Sequence, residues 1–260
     1  MEEFVNRIML PTADGHTLKI YGLFHCVFFA LTLAAMVVAV IYTLKKGDKA
    51  LYTLYVVSSI VLWIGEIYKQ FCFSFKTGKF SYEWYSFPFQ FCSTPLYTFL
   101  FCAIAKKGKA YDAVTVYNAT YAFFAGTAVM LYPSTLMNNY GISFQSLMHH
   151  AFMMITGVSA FVAYGKRMSV KLFLQNMAVY TILLVIAMIL NYVIPAATGQ
   201  AVNMYFISGT YAEPDNPFGI FQRAYPYPLF VAVYYLLFTE LACAIAYLSY
   251  VVAAKREKHE

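Results

Sequence analysis

The sequence predicts an all-α polytopic integral membrane protein with seven transmembrane helices, its N-terminus outside and its C-terminus in the cytoplasm. Three observations carry this expectation. The 260 residues are 61% hydrophobic and 12% charged, whereas soluble domains run near about 25% charged. Seven apolar runs are long enough, or nearly so, to cross a bilayer at about 1.5 Å per residue. The basic residues change sides at every turn between those runs. No period-two alternation of the kind an outer-membrane barrel needs is present.

In chain order, residues 1–19 form a polar leader of mixed charge with a turn at Asp14-Gly15. It lacks the pattern of a cleaved signal peptide. The runs follow at 20–44, 50–71, 89–105, 113–131, 144–164, 170–194 and 229–254. Backbone groups in hydrocarbon must bond internally, so each run is expected to be a helix. The third is short. Outer loops at 72–89 and 195–228 are long and aromatic, with Tyr82, Trp84 and Tyr85 in the first and Glu213-Pro214-Asp215-Asn216-Pro217 as a turn cluster in the second. Loops of this length act as lids or serve as plain spacers. Asn118-Ala-Thr120 matches a glycosylation sequon but falls inside the fourth run. With no repeat and no linker, residues 1–260 read as one domain that ends in a basic tail at 255–260.

Twelve of the eighteen Lys and Arg residues fall on one side, three each at Lys45/Lys46/Lys49, Lys106/Lys107/Lys109, Lys166/Arg167/Lys171 and Lys255/Arg256/Lys258. The positive-inside rule makes that side cytoplasmic and places the chain in the plasma (cytoplasmic) membrane as a multi-pass protein. The formal charge of +6 is therefore a topology signal, and nucleic acid is not an expected partner. Five cysteines without a CxxC pair give neither a disulfide framework nor a zinc site. No cofactor or metal is expected.

An ionisable residue inside a transmembrane helix is a functional candidate by default, because its burial is costly. His25, Glu66, Cys92, His149, His150 and Asn191 all fall in the outer third of the membrane by residue count. That common depth predicts a polar cavity opening outward. Simpler roles exist for each: a histidine bonding a carbonyl, or Glu66 pairing with Lys69 three residues on. Adjacent helical residues point about 100° apart, so only one of His149 and His150 faces any one site. Glu240 differs, lying mid-membrane in the last run.

The stretch 86–97, Ser-Phe-Pro-Phe-Gln-Phe-Cys-Ser-Thr-Pro-Leu-Tyr, puts Cys92 between Pro88 and Pro95 at the mouth of the third run. Most membrane cysteines are small buried hydrophobes, and a reactive thiol needs activating neighbours. The residues alone leave three classes open. A thiol and an imidazole at one depth suit nucleophilic catalysis. Glu66 with Lys69, His150 and Glu240, on three helices, suit a small-molecule or proton-coupled transporter. The aromatic outer loops suit a scaffold or receptor.

Pro88-Phe-Gln90-Phe-Cys92 resembles the P-L-H-L-C motif of the YwaF-type bacterial integral membrane proteins. Ser146-Leu-Met-His149-His150-Ala151 resembles that family's F-F-x-x-H-G, with His150 at the histidine position. Gly199-Gln-Ala-Val-Asn203-Met-Tyr-Phe resembles its G-x-N-Y-M-x-L. Gln90, Ala151 and Met204 depart from the family's His, Gly and Tyr. The YwaF type is similar to eukaryotic transmembrane phospholipid acyltransferases that work through a cysteine and a histidine. The resemblance implies an acyltransferase or lipid hydrolase with Cys92 as nucleophile and His150 as base. It implies a membrane phospholipid or lysophospholipid as partner within the lipid bilayer. On that reading Glu66 or His25 orients the histidine, Gln90 and Asn203 bind the ester or headgroup, and His149 and Asn191 support the site.

Overall fold

In a chain this apolar the outward faces of the helices are as hydrophobic as the core, so polarity marks the inside. The first helix shows this plainly. In α1 (Leu23–Lys46) the buried residues are His25, Thr32, Ala39 and Thr43, while Leu31, Val37 and Val38 are exposed. The buried positions recur every seventh residue or so, which is one helical stripe. The computed structural model describes residues 18–75, 79–133, 137, 139–212 and 217–258. Most of the leader with its Asp14-Gly15 turn, residues 213–216 of the loop cluster, and the last two residues of the tail lie outside the described residues.

After α1 come α2 (Asp48–Ser74), α3 (Pro95–Ala105), α4 (Lys109–Leu131), α5 (Tyr140–Tyr164), α6 (Val170–Thr198), α7 (Pro217–Ala224) and α8 (Tyr227–Glu257). No strand occurs among the described residues. Six of these helices, α1, α2, α4, α5, α6 and α8, are long and apolar enough to cross a membrane. Asn139 caps α5 by accepting from Ile142 N, and Ser169 caps α6 by accepting from Leu172 N.

The third apolar run, expected to be short, is a short helix entered through a separate turn. A 3₁₀ turn at Phe91–Ser93 precedes α3, which has 11 residues and rises about 16 Å, roughly half the hydrocarbon thickness. Proline explains the separate turn. Pro95 has no N–H to give a preceding turn, but it suits the first position of a helix, and α3 begins there. The segment still descends beside α2 over much of its length. Trp63 Nε1 donates to Leu96 O at 3.1 Å, the Tyr55 and Phe99 rings sit 5.6 Å apart, and Lys106 Nζ lies 5.4 Å over the Tyr52 ring.

The bundle centre is the crossing of α4 with α5. Residues Asn118–Ala122 of α4 form a π-helical turn whose five residues are all buried. Such bulges are frequent at functional sites. The turn frees the Asn118 side chain, whose Oδ1 accepts from Thr98 Oγ1 at 2.7 Å while Nδ2 donates to Tyr55 OH at 3.4 Å. Two glycines admit α5. A Cβ on Gly157 would lie 2.7 Å from Phe123 Cβ and 3.0 Å from Asn118 O, and one on Gly126 would lie 2.8 Å from Met153 Cβ. A row of stacked phenol rings, Tyr117, Tyr121, Tyr180 and Tyr235, then ties α4 to α6 and α8 at centroid spacings of 5.4, 4.3 and 5.4 Å.

The basic turns gather at one end. Arg167 Nη2 pairs with Asp48 Oδ2 at 2.8 Å, and Tyr164 OH donates to Asp112 Oδ1 at 2.7 Å. Gly165 abuts Ser249 and Ala253 near the end of α8. The aromatic loops lie at the opposite end.

Gly157→Ala should destabilise the bundle even though alanine is the better helix former by about 1 kcal/mol. The added methyl meets a backbone oxygen and a Cβ rather than a flexible side-chain tip, and overpacking of this kind costs about 1–3 kcal/mol. Thermal unfolding in detergent micelles should show a lowered midpoint, and lower still for Gly157→Leu.

Candidate functional site

The loops at the aromatic end fold back on each other and form a cap. Side-chain amides make its joints. Gln90 Nε2 donates to Asn203 O at 2.9 Å while its Oε1 accepts from Tyr205 N at 3.0 Å. Asn191 on α6 does the same to Met204, donating to its carbonyl at 2.9 Å and accepting from its N–H at 2.6 Å. Asn203 Oδ1 accepts from Ser208 N at 2.8 Å, and Gln200 Oε1 accepts from Trp84 N at 3.2 Å. These bonds hold Tyr205 and Phe206 at φ of 59° and 57°, a left-handed conformation that costs a non-glycine residue about 1–2 kcal/mol. The chain is thus forced into a shape that the buried amides compensate. Gln90, Asn191 and Asn203, expected to serve the site, are brought together as these joints.

Cys92 lies half-buried under the cap. It occupies the 3₁₀ turn before α3 rather than the first turn of that helix. Thr94 Oγ1 donates to Phe91 O at 2.8 Å, so its 2.7 Å bond with Tyr117 has the phenol as donor. That pair fixes the turn carrying Cys92 to the π-turn region of α4.

His149 reaches this turn directly, with Nε2 2.8 Å from Cys92 O. A carbonyl only accepts, so His149 Nε2 carries the hydrogen. His150 bonds within its own helix. Its Nδ1 is 2.7 Å from Ser146 O, so Nδ1 donates and Nε2 keeps a bare lone pair in the neutral ring. That Nε2 is buried without a hydrogen-bond partner. The two rings are 5.5 Å apart, centre to centre. The adjacent histidines thus make different bonds: His149 grips the Cys92 backbone, and His150 holds a free acceptor.

Glu66, buried on α2, pairs with Lys69 at 2.9 Å and accepts from Gln70 Nε2 at 2.5 Å. Gln70 also donates to Ser86 O at 2.6 Å, which ties the pair to the first outer loop. Lys69 is within Coulombic reach of Cys92, His149 and His150. Glu66, Lys69, Cys92 and both histidines thus form one neighbourhood. In the loop above, burial and the Glu66 carboxylate push the Tyr82 phenol up from its usual range. His25 takes a separate place. Its Nε2 donates to Met130 O at 3.0 Å, and its ring packs between Tyr21 and Phe29. Glu240 is exposed on the outer surface of α8, away from this neighbourhood. Among the described residues no cluster of three His, Cys, Asp or Glu has metal-holding geometry.

Gln70, which the sequence reading does not single out, ties the Glu66–Lys69 pair to the first outer loop. The available signal was Glu66, Lys69 and Gln70 at helical spacing, one turn from the outer end of α2. Two apolar grooves flank the neighbourhood. One, of about 590 Å³, lies between α1, α2 and α5 and is floored by Gly65, Gln145 and Met148. These residues adjoin Glu66 and His149. The other, of about 330 Å³, lies between α7 and α8 and reaches Tyr234, which is in Coulombic reach of Cys92.

A model of the TMEM164 family matches residues 20–250. No curated protein and no solved structure matches the chain.

Gln90→Leu should loosen the cap without unfolding the bundle. It leaves Asn203 O and Tyr205 N unpaired, at about 1–3 kcal/mol for each buried orphan. Hydrogen exchange should speed up at residues 203–208 and stay unchanged in α4 and α5.

Proposed function

The chain belongs to the TMEM164 family of transmembrane proteins, and from that premise we propose that it is a membrane-embedded lipid acyl-transfer enzyme working through Cys92. The observation that carries the proposal is the hydrogen bond from His149 to the carbonyl of Cys92, beside a His150 whose Nε2 lone pair is buried and unclaimed. A thiol nucleophile needs a base and a fixed position. The two histidines divide those tasks. The motif resemblance to YwaF-type proteins and to Cys/His phospholipid acyltransferases supports the same assignment.

In the proposed reaction His150 Nε2 takes the Cys92 thiol proton, and the thiolate attacks the ester carbonyl of a phospholipid. A C–S bond forms as the carbonyl oxygen takes the electron pair. Collapse breaks the ester C–O bond, and the leaving lysophospholipid oxygen takes the proton back from His150. The thioester then passes its acyl group to the hydroxyl of a second lysophospholipid, with His150 again as base. Water as acceptor makes the reaction a hydrolysis. Lys69 favours the thiolate by charge, and Glu66 holds Lys69 in place. His149 is a positioning residue. Gln90, Asn191 and Asn203 act through the cap that covers the ester, and His25 braces α1 against α4. The larger groove gives an acyl chain a lateral path toward His149.

The same reading takes the chain as one domain crossing the membrane seven times, with the segment from the first outer loop through α3 as the third crossing. The clustered basic turns face the cytoplasm, the cap faces out, and the plasma membrane is the expected site. The exposed position of Glu240 speaks against a proton path through it and Glu66.

Acyl exchange between a labelled phospholipid and a lysophospholipid in proteoliposomes tests the proposal. His150→Ala should slow exchange by about 10²–10⁴-fold, the range for a lost general base. His149→Ala should cost less, about 10²-fold at most, as a positioning defect. Cys92→Ser should leave no turnover. Equal exchange by wild type and Cys92→Ser would overturn the assignment.

A further inference from the structure

Glu240 sits at mid-depth by two independent measures. It lies near the middle of α8. Its neighbour Thr239 accepts a hydrogen bond of 3.3 Å from Tyr121 OH, and Tyr121 is itself central in α4. Yet Glu240 is exposed, and no hydrogen bond or ion pair reaches it from the described residues. Its surface neighbours Leu236 and Leu237 are exposed and apolar. A carboxyl group facing hydrocarbon at this depth is costly, and such groups almost always face protein or pair with a partner. One turn further along, Cys243 and Ala244 are also exposed. Both are small, and small side chains let two membrane helices approach closely.

We propose that this face of α8 is the contact between two copies of the chain, related by a twofold axis that sets one Glu240 against the other. A carboxyl carrying its proton has one O–H donor and spare acceptor positions, so two facing carboxyls satisfy each other. A twofold axis is the symmetry that places a residue against its own copy. The contact needs no basic group on a second protein, and it removes the one carboxyl that α8 exposes at mid-depth from lipid. Cys243 and Ala244 form the close-approach step beside it. The proposal is independent of the chemistry assigned to Cys92.

Cys243 supplies its own reporter. Mild oxidation with copper phenanthroline in membranes joins two facing thiols as a disulfide, the reagent taking the two electrons and solvent the two protons. Wild type and Cys26→Ser should yield the linked dimer, and Cys243→Ser should not. Cys26 is exposed on α1 and serves as the control for random collision. Subunit counting by photobleaching in dilute liposomes provides the second measurement. Wild type and Glu240→Gln, whose amide also donates and accepts, should bleach in two steps. Glu240→Leu should lower the dimer fraction several-fold. Single-step bleaching of wild type, or an unchanged dimer fraction in Glu240→Leu, would overturn the proposal, as would linkage through Cys26 in place of Cys243.

Discussion

Hydrocarbon offers no hydrogen-bond partners, and this constraint shapes every irregular part of the molecule. Regular helices satisfy their own backbone groups. The chain leaves the helix at the π-turn of α4, at the turn before α3, and in the two outer loops. At each place a side chain stands in for the missing backbone or water partner. Thr120 serves the Val116 carbonyl at the π-turn, and Thr94 serves Phe91 before α3. Gln90, Asn191 and Gln200 serve the loops. Polar residues are scarce here, and several of those buried are spent on holding non-helical backbone.

That economy gives the candidate site its form. The turn carrying Cys92 is irregular because two prolines bracket it, so its carbonyls need outside donors. His149 is one of them. An imidazole recruited to satisfy a carbonyl thus also comes to rest beside a thiol. The next residue, His150, satisfies itself through Ser146 and leaves Nε2 open. Glu66 and Lys69 neutralise each other while keeping a cation near the thiol. Structure and proposed chemistry thus use the same few groups.

Much of the fold was legible in the sequence because apolar length is a direct requirement of the bilayer. The sixth apolar run was expected to start at residue 170, and α6 is Val170–Thr198. The third run reads as short, but hydropathy does not register proline's effect on local geometry, and Pro95 sets where its α-helix begins. The amphipathic α7 was hidden in what read as a loop, since eight residues give too little periodicity to detect. For the site, depth counting grouped Glu66, Cys92 and the histidine pair. It also grouped His25, which the bundle turns toward Met130. Helical geometry showed that His149 and His150 diverge, but which one meets Cys92 depends on the rotation of α5, set by the Gly126 and Gly157 contacts. The pairing of Gln90 with Asn203 across more than a hundred residues has no local trace.

The most direct measurement is the intact mass of the purified protein after incubation with a phospholipid of known acyl composition, followed by peptide mapping. The expected result is a mass gain equal to one acyl group, located on Cys92 and removed by neutral hydroxylamine, as a thioester requires. An unmodified Cys92 in protein that is exchanging acyl chains, or an acyl group found only on another cysteine, would contradict it.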